Sequence, residues 1–187
     1  LNNDANCFIL GESLFGAGKG CKNLVGLTLG SGVGGGIIIN KELYHGKGNA
    51  GELGHMTIKL NGMIASCGND GCIEEYVSRR GLMRLAESFG MRVEEPTDIY
   101  NLALKKNPSA IHLFKEMGIY LGIAVVNLVN AFDPDKVILG GGISGAWNFF
   151  SHSLKDEVKK RALNKTNIVK GKLGKNAGII GAAALVN

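Results

Sequence analysis

The chain has 187 residues, 45% of them hydrophobic and 20% charged, enough apolar material for one buried core or one lobe of a larger protein. Its formal charge of +5 comes from scattered lysines, and the densest group, Lys155 to Arg161, also holds Asp156 and Glu157, so a solvated helix face is expected and nucleic acid is not expected as a partner. The apolar stretch Met117 to Phe132 is interrupted by Asn127 and Asn130 and falls short of the roughly 20 residues that span a bilayer; with no basic and apolar leader, a cytoplasmic setting without a membrane partner is expected.

Leu1 to Asn3 reads as the end of a strand. Asp4 to Phe15 follows as a helix, with Cys7, Phe8, Leu10, Leu14 and Phe15 on apolar spacing and Gly16 closing it. The chain has no initiator Met and opens inside a motif, so a further segment upstream is expected. Leu24 to Leu29 and Gly36 to Asn40 read as strands joined by a glycine run, and Asn40, Lys41 and Glu42 turn the chain into Leu43 and Tyr44. This predicts a β-meander. Helices are then predicted from about Cys72 to Phe89, after Pro96, and from Asn107 and Pro108 to about Phe132. In the last of these, Gly118 and Gly122 fall where a neighbouring element can approach closely. Lys136 to Leu139 reads as a strand entering Gly140, Gly141 and Gly142, followed by a helix from about Ala146 to Leu163, a strand at Ile168 and Val169, and a final helix from Asn176 to Val186 rich in small residues. The mixture is α/β without a detectable repeat.

The chain holds 29 glycines against 3 prolines and no low-complexity tract, so the glycines must serve as turns and close approaches. Gly30-Ser31-Gly32-Val33-Gly34-Gly35-Gly36 contains G-x-G-x-x-G, but Ile37, Ile38 and Ile39 continue as a strand where a dinucleotide fingerprint needs a helix. The run is therefore a hairpin. Its N–H groups can still cradle a phosphate, with an ordinary Gly-rich hairpin as the competing reading. At Gly140-Gly141-Gly142 a strand end meets glycines and a helix, the crevice position for nucleotides in α/β proteins. Gly51-Glu52-Leu53-Gly54-His55 and Glu74 place carboxylates and an imidazole in loops. Each acid alone reads equally as a surface residue or a helix cap. The chain has 4 cysteines; of these, Cys67 and Cys72 join His55 as a nitrogen and two sulfurs, one ligand short of a closed zinc site. Two buried thiols and a hydrogen-bonded histidine are the alternative.

Taken in order, Asn3-Asp4-Ala5-Asn6, the Gly30 to Gly36 turn, Gly51 to His55, Cys67-Gly68-Asn69-Asp70-Gly71-Cys72-Ile73-Glu74 and Gly140 to Gly142 closely resemble the ROK family of sugar kinases and repressors. The likeness spans essentially the whole chain, and Leu1 to Leu10 is most similar to bacterial glucokinases and N-acetylglucosamine kinases. The resemblance implies an α/β, actin-like ATPase (ribonuclease H-like) fold. Residues 1–187 would form its C-terminal sugar- and nucleotide-binding lobe, a mixed sheet with flanking helices, with the N-terminal lobe outside this chain. It implies ATP-dependent phosphorylation of a hexose or N-acetylhexosamine at the 6-hydroxyl, with ATP and Mg2+; a homodimer is expected from the apolar residues of the last helix. Position by position, Asp4 matches the catalytic base, and Asn3, Glu52, His55 and Glu74 match residues that bond sugar hydroxyls. Gly30, Gly32, Gly34 and Gly35 match the second phosphate motif, and Gly141 and Gly142 the adenosine motif. His55, Cys67 and Cys72 match three of four zinc ligands.

Three departures stand out. Ala65 occupies the usual place of the fourth zinc ligand. Ser31 replaces a usual threonine and keeps the hydroxyl. The N-terminal lobe's phosphate motif is absent from these residues, so the isolated fragment is expected to be inactive. The family also holds sugar-responsive repressors; Asp4 and the intact glycine turn favour the kinase. The last helix is expected to hide its apolar residues by dimerising or by folding onto its own lobe.

Overall fold

The computed structural model describes residues 3–185, so the strand end expected at Leu1 and Asn2 and the helix end at Val186 lie outside the described residues. Helix α1 covers Asp4–Phe15. The Asn3 side chain accepts the Asn6 N–H at 2.7 Å, an N-cap that satisfies one of the orphan donors of the first turn. Strand β1 is Leu24–Leu29 and β2 is Val33–Ile39. The second strand starts earlier than the sequence suggests, because Gly34, Gly35 and Gly36 pair with Thr28, Leu27 and Gly26. The turn itself is confined to Gly30, Ser31 and Gly32, with the Gly30 N–H donating to the Gly32 carbonyl at 2.9 Å. Asn40 and Lys41, at φ 52° and 72°, make the tight turn into β3, Glu42–Leu43.

The predicted helix from Cys72 to Phe89 is in fact two, α2 at Glu74–Val77 and α3 at Arg79–Ser88. Ser78 breaks the run with an extended backbone at φ −82°, ψ 175°, and its hydroxyl accepts the Gly81 N–H while the Arg79 N–H donates to the Gly30 carbonyl at 2.8 Å. The break swings the start of α3 against the glycine turn. Helix α4 is Pro96–Leu104, entered by a capping box between Glu95 and Asp98. Helix α5 is Pro108–Phe132, strand β4 Lys136–Gly140, helix α6 Trp147–Arg161, strand β5 Asn167–Lys170 and helix α7 Ala177–Ala184.

The five strands form one mixed sheet in the order β3-β2-β1-β4-β5, antiparallel where β1, β2 and β3 meet and parallel from β1 to β4 to β5. Its two faces read off by alternation. Leu24, Ile38 and Ile138 pack under α1 with Phe8, Ile9 and Ala177, whereas Val25, Leu27, Leu29, Ile37, Val137 and Leu139 join the larger core with α5 and α6. α5 has the length and apolarity to cross a membrane, yet 56% of its most apolar window is buried inside the fold. It is the core helix, and it meets α6 where a Cβ on Gly118 would lie 2.5 Å from the Phe150 carbonyl and one on Gly122 would lie 2.7 Å from Glu157 Cβ. α7 lies on α1 just as closely: a Cβ on Gly11 would come within 2.3 Å of the Ala177 carbonyl and one on Gly181 within 1.8 Å of the Cys7 carbonyl. The last helix thus lies on its own lobe through its small residues, whereas Ile179 and Leu185, two of the apolar residues it was expected to hide, remain 72% and 44% exposed.

Candidate active site

The glycines on the α1 side of the sheet decide where Asp4 sits. A Cβ at Gly34 would collide with Ala5, at Gly26 and Gly36 with Ile9, and at Gly140 with the Phe8 ring. Bare backbone at these positions lets α1 lie close on the strands, which delivers its first residue, Asp4, to the Gly30–Gly32 turn. A cavity of about 350 Å³ results, lined by Asp4, Thr28, the turn from Gly30 to Gly34, Glu74 and Gly141. Glu74 faces the same space from α2. Its Oε2 accepts the Val33 N–H at 2.9 Å, and Gly32 leaves it room, since a Cβ there would be 2.5 Å from that oxygen. Its Oε1 lies 3.9 Å from the Arg80 guanidinium. The neighbouring Glu75 side chain is fully buried and clasped between Arg80 and Arg84, which fixes α2 against α3.

A second cavity of about 520 Å³ adjoins the first and shares Gly30 and Ser31 with it. Its wall is largely apolar, from Leu82, Pro96, Tyr100, Phe114 and Ile143. Gly30, Gly142 and Gly145 line it with nothing within 4 Å of where their Cβ atoms would stand. Glycines that face open space fit the close approach of a ligand rather than of another element. Gly141, at φ +82°, packs against Leu29 instead and turns the chain from β4 into this wall.

Glu52 precedes and His55 ends a single 3-10 turn, Leu53–His55, held on β2 because Gly54 sits against the Val33 carbonyl and Gly51 against Gly35. The His55 Nε2 faces Glu52 at 3.8 Å. The His55 Nδ1 is buried and has no hydrogen-bond partner among the described residues. The ligand atoms of His55, Cys67 and Cys72 all lie within 4.8 Å of one another, and the two sulfurs are 3.6 Å apart, close to the about 3.8 Å of two thiolates on a tetrahedral zinc with Zn–S near 2.3 Å. Burial, and then the hydrogen bond with Cys67, push the Cys72 thiol up to about 11, a penalty that a bound cation would reverse. The donor set and the orphaned nitrogen therefore fit a zinc ion, with buried Ala65 in the same turn supplying no fourth ligand. The Ile73 N–H donates to the Met56 carbonyl and the Ile58 N–H to the Gly71 carbonyl, so this cluster ties the His55 turn to the segment carrying Glu74.

The structure thus gathers Asp4, Gly30, Gly32, Gly34, Glu74 and Gly141 at one cavity and Gly142 at its neighbour. Gly35 lies on the opposite face of β2, against Gly51 and Leu53. Asn3 uses its side-chain oxygen on the helix cap. Sequence reasoning missed Thr28, Tyr100, Phe114 and Ile143 as lining residues, and the buried Glu12, whose carboxylate accepts the Ala17, Lys172 and Leu173 N–H groups. Periodicity marks such residues only as core or surface.

Residues 1–187 match the ROK family along their whole length. The chain is 36% identical to the xylose repressor of Bacillus subtilis over 191 residues, covering 100% of this chain and 50% of the relative. It is 35% identical to a glucokinase of Halalkalibacterium halodurans over 206 residues, covering 100% of this chain and 62% of the relative. Among solved structures, a ROK family glucokinase from Streptomyces griseus in complex with glucose and AMPPNP superposes with a TM-score of 0.91 at 32% identity, covering 99% of this chain and 67% of that one. The chain therefore spans about half to two-thirds of the length of these relatives.

Proposed function

The chain belongs to the ROK family, and on that premise we propose that it is the sugar- and nucleotide-binding lobe of an ATP-dependent kinase acting on a hexose or N-acetylhexosamine. The observation that carries this reading is the junction of two unlike cavities at Gly30 and Ser31. One holds the carboxylates of Asp4 and Glu74. The other is apolar, floored by open glycines, and of a size for a base and ribose. A nucleotide lying in the second would pass its phosphates over the Gly30–Gly32 turn towards Asp4.

In this reading Asp4 accepts the proton of the attacking sugar hydroxyl, the 6-OH, as it reaches the γ-phosphate. Phosphoryl transfer has a loose transition state, so positioning and charge stabilisation dominate, and a carboxylate base suffices. Glu52, His55 and Glu74 would read the sugar's hydroxyls, and the bond from Val33 to Glu74 couples that sugar contact to the phosphate turn. Mg2+ bound with the nucleotide supplies neutralisation of the phosphate oxygens, and the carboxylates at the cavity are of the kind that accompany it. Zinc held by His55, Cys67 and Cys72 would be structural, fixing the imidazole so that Nε2 is presented beside Glu52.

A sugar-sensing repressor is the second reading, favoured by the 36% identity to a xylose repressor over the full chain. One measurement separates them. The full-length protein is supplied with ATP, Mg2+ and a panel of hexoses and N-acetylhexosamines, and ADP formation is followed. Sugar-dependent turnover abolished by Asp4→Ala supports the kinase; sugar binding with no turnover on any member of the panel overturns it.

A further inference from the structure

Two consecutive arginines stand at the break between α2 and α3, and they are used differently. Arg80 is drawn into the ion cluster with the buried Glu75 and with Glu74, which Arg84 completes. Arg79 is exposed, lines the apolar cavity, and has no ion-pair partner among the described residues. Its backbone N–H is bonded to the Gly30 carbonyl, so the root of the side chain is fixed at the turn the two cavities share.

The charge around the two cavities makes this position matter. Among the described residues lining them, Asp4, Glu74 and Glu95 are carboxylates and Arg79 is the cation. A polyphosphate entering between them brings further negative charge beside those carboxylates, and like charges at such range repel. Arg79 provides a compensating fork of donors matched to phosphate oxygens.

We infer that Arg79 is a nucleotide-binding residue that contacts the phosphate chain, so that this site recognises nucleoside di- and triphosphates over the nucleoside alone. The inference rests on the nucleotide reading given above. The side chain is exposed, so solvent and salt limit its effect, and a loss of about three- to tenfold in phosphate-dependent affinity is expected on its removal.

The test is titration calorimetry on the full-length protein with AMPPNP and, separately, with adenosine, at low and high salt. For Arg79→Gln, AMPPNP binding should weaken about three- to tenfold and lose salt dependence, adenosine binding should stay as in wild type, and Arg79→Lys should recover part of the loss. Arg79→Gln binding AMPPNP as tightly as wild type overturns the inference alone. Equal losses for AMPPNP and adenosine also overturn it, since the arginine would then be shaping the base pocket. Wild-type protein that binds neither compound overturns the nucleotide reading and this inference with it.

Discussion

Glu12 offers the sharpest test of the packing argument, because a buried carboxylate here holds separate parts of the lobe together. Its side chain is fully buried at the C-terminal end of α1, and it accepts the N–H groups of Ala17 at 2.7 Å, Lys172 at 3.1 Å and Leu173 at 2.8 Å. Gly16 and Gly171 make room for it, since a Cβ at either would lie 2.0 Å or 2.8 Å from a carboxylate oxygen. Glu12→Ala strips all three donors of their acceptor. Ala17 is buried, so its N–H bears the full loss, about 1–3 kcal/mol, whereas the Lys172 and Leu173 amides lie nearer solvent and recover water. The total expected is about 3 kcal/mol, which for a domain of this size lowers Tm by about 6–12 °C. Glu12→Gln keeps one oxygen and turns an NH2 towards an N–H donor, so about 1–2 kcal/mol is expected. Differential scanning calorimetry of the two variants checks the order and size. An alanine variant melting within about 2 °C of wild type would refute the claim that these bonds secure α1 to the segment after β5.

Asp4→Ala is expected to lower kcat by about 100- to 10,000-fold in a coupled ADP assay while sugar binding persists, and near wild-type turnover would remove Asp4 from the mechanism. Gly181→Leu forces a Cβ into the Cys7 carbonyl, 1.8 Å away, and should cost about 1–3 kcal/mol in urea denaturation; an unchanged midpoint would show that α7 does not pack on α1 in solution. Elemental analysis of protein purified without chelators should find close to one zinc per chain, with tighter retention in Ala65→Cys, and a clean zero in both would discard the metal site. The N–H of Asn23, then that of Lys22, hold the Asp135 carboxyl below the usual carboxylate range. A lowered folded-state value stabilises the fold above the unfolded-state value and is lost as pH falls through the folded one. Asp135→Asn should therefore melt below wild type at pH 7, with the gap narrowing as pH falls below the usual carboxylate range, a pattern read from Tm across an acid pH series.

Much of the secondary structure was legible because its signals are local. Asn107 and Pro96 mark helix starts, the apolar runs at Leu24 and Lys136 are strands, and the Asn40-Lys41 pair makes its turn. The grouping of His55, Cys67 and Cys72 was legible too, since these residues carry their chemistry in their side chains and the structure places their ligand atoms together. The break at Ser78 was not. Its helical spacing runs on through Tyr76, Val77 and Leu82, and what interrupts it is a bond from Arg79 to Gly30, nearly fifty positions away in the chain.

The glycines show the division most plainly. Their number and spacing, read from the sequence alone, required close backbone approaches and a turn ahead of Ile37. Only the tertiary structure decided that Gly26, Gly34, Gly36 and Gly140 lie under α1, that Gly35 faces the other way, and that Gly30, Gly142 and Gly145 open onto space. A residue without a side chain has no polarity or shape to reveal which face it serves. The atom that approaches it belongs to another segment, and so the junction of carboxylate and apolar cavities at Gly30 exists only once α1, α3 and β4 have packed around it.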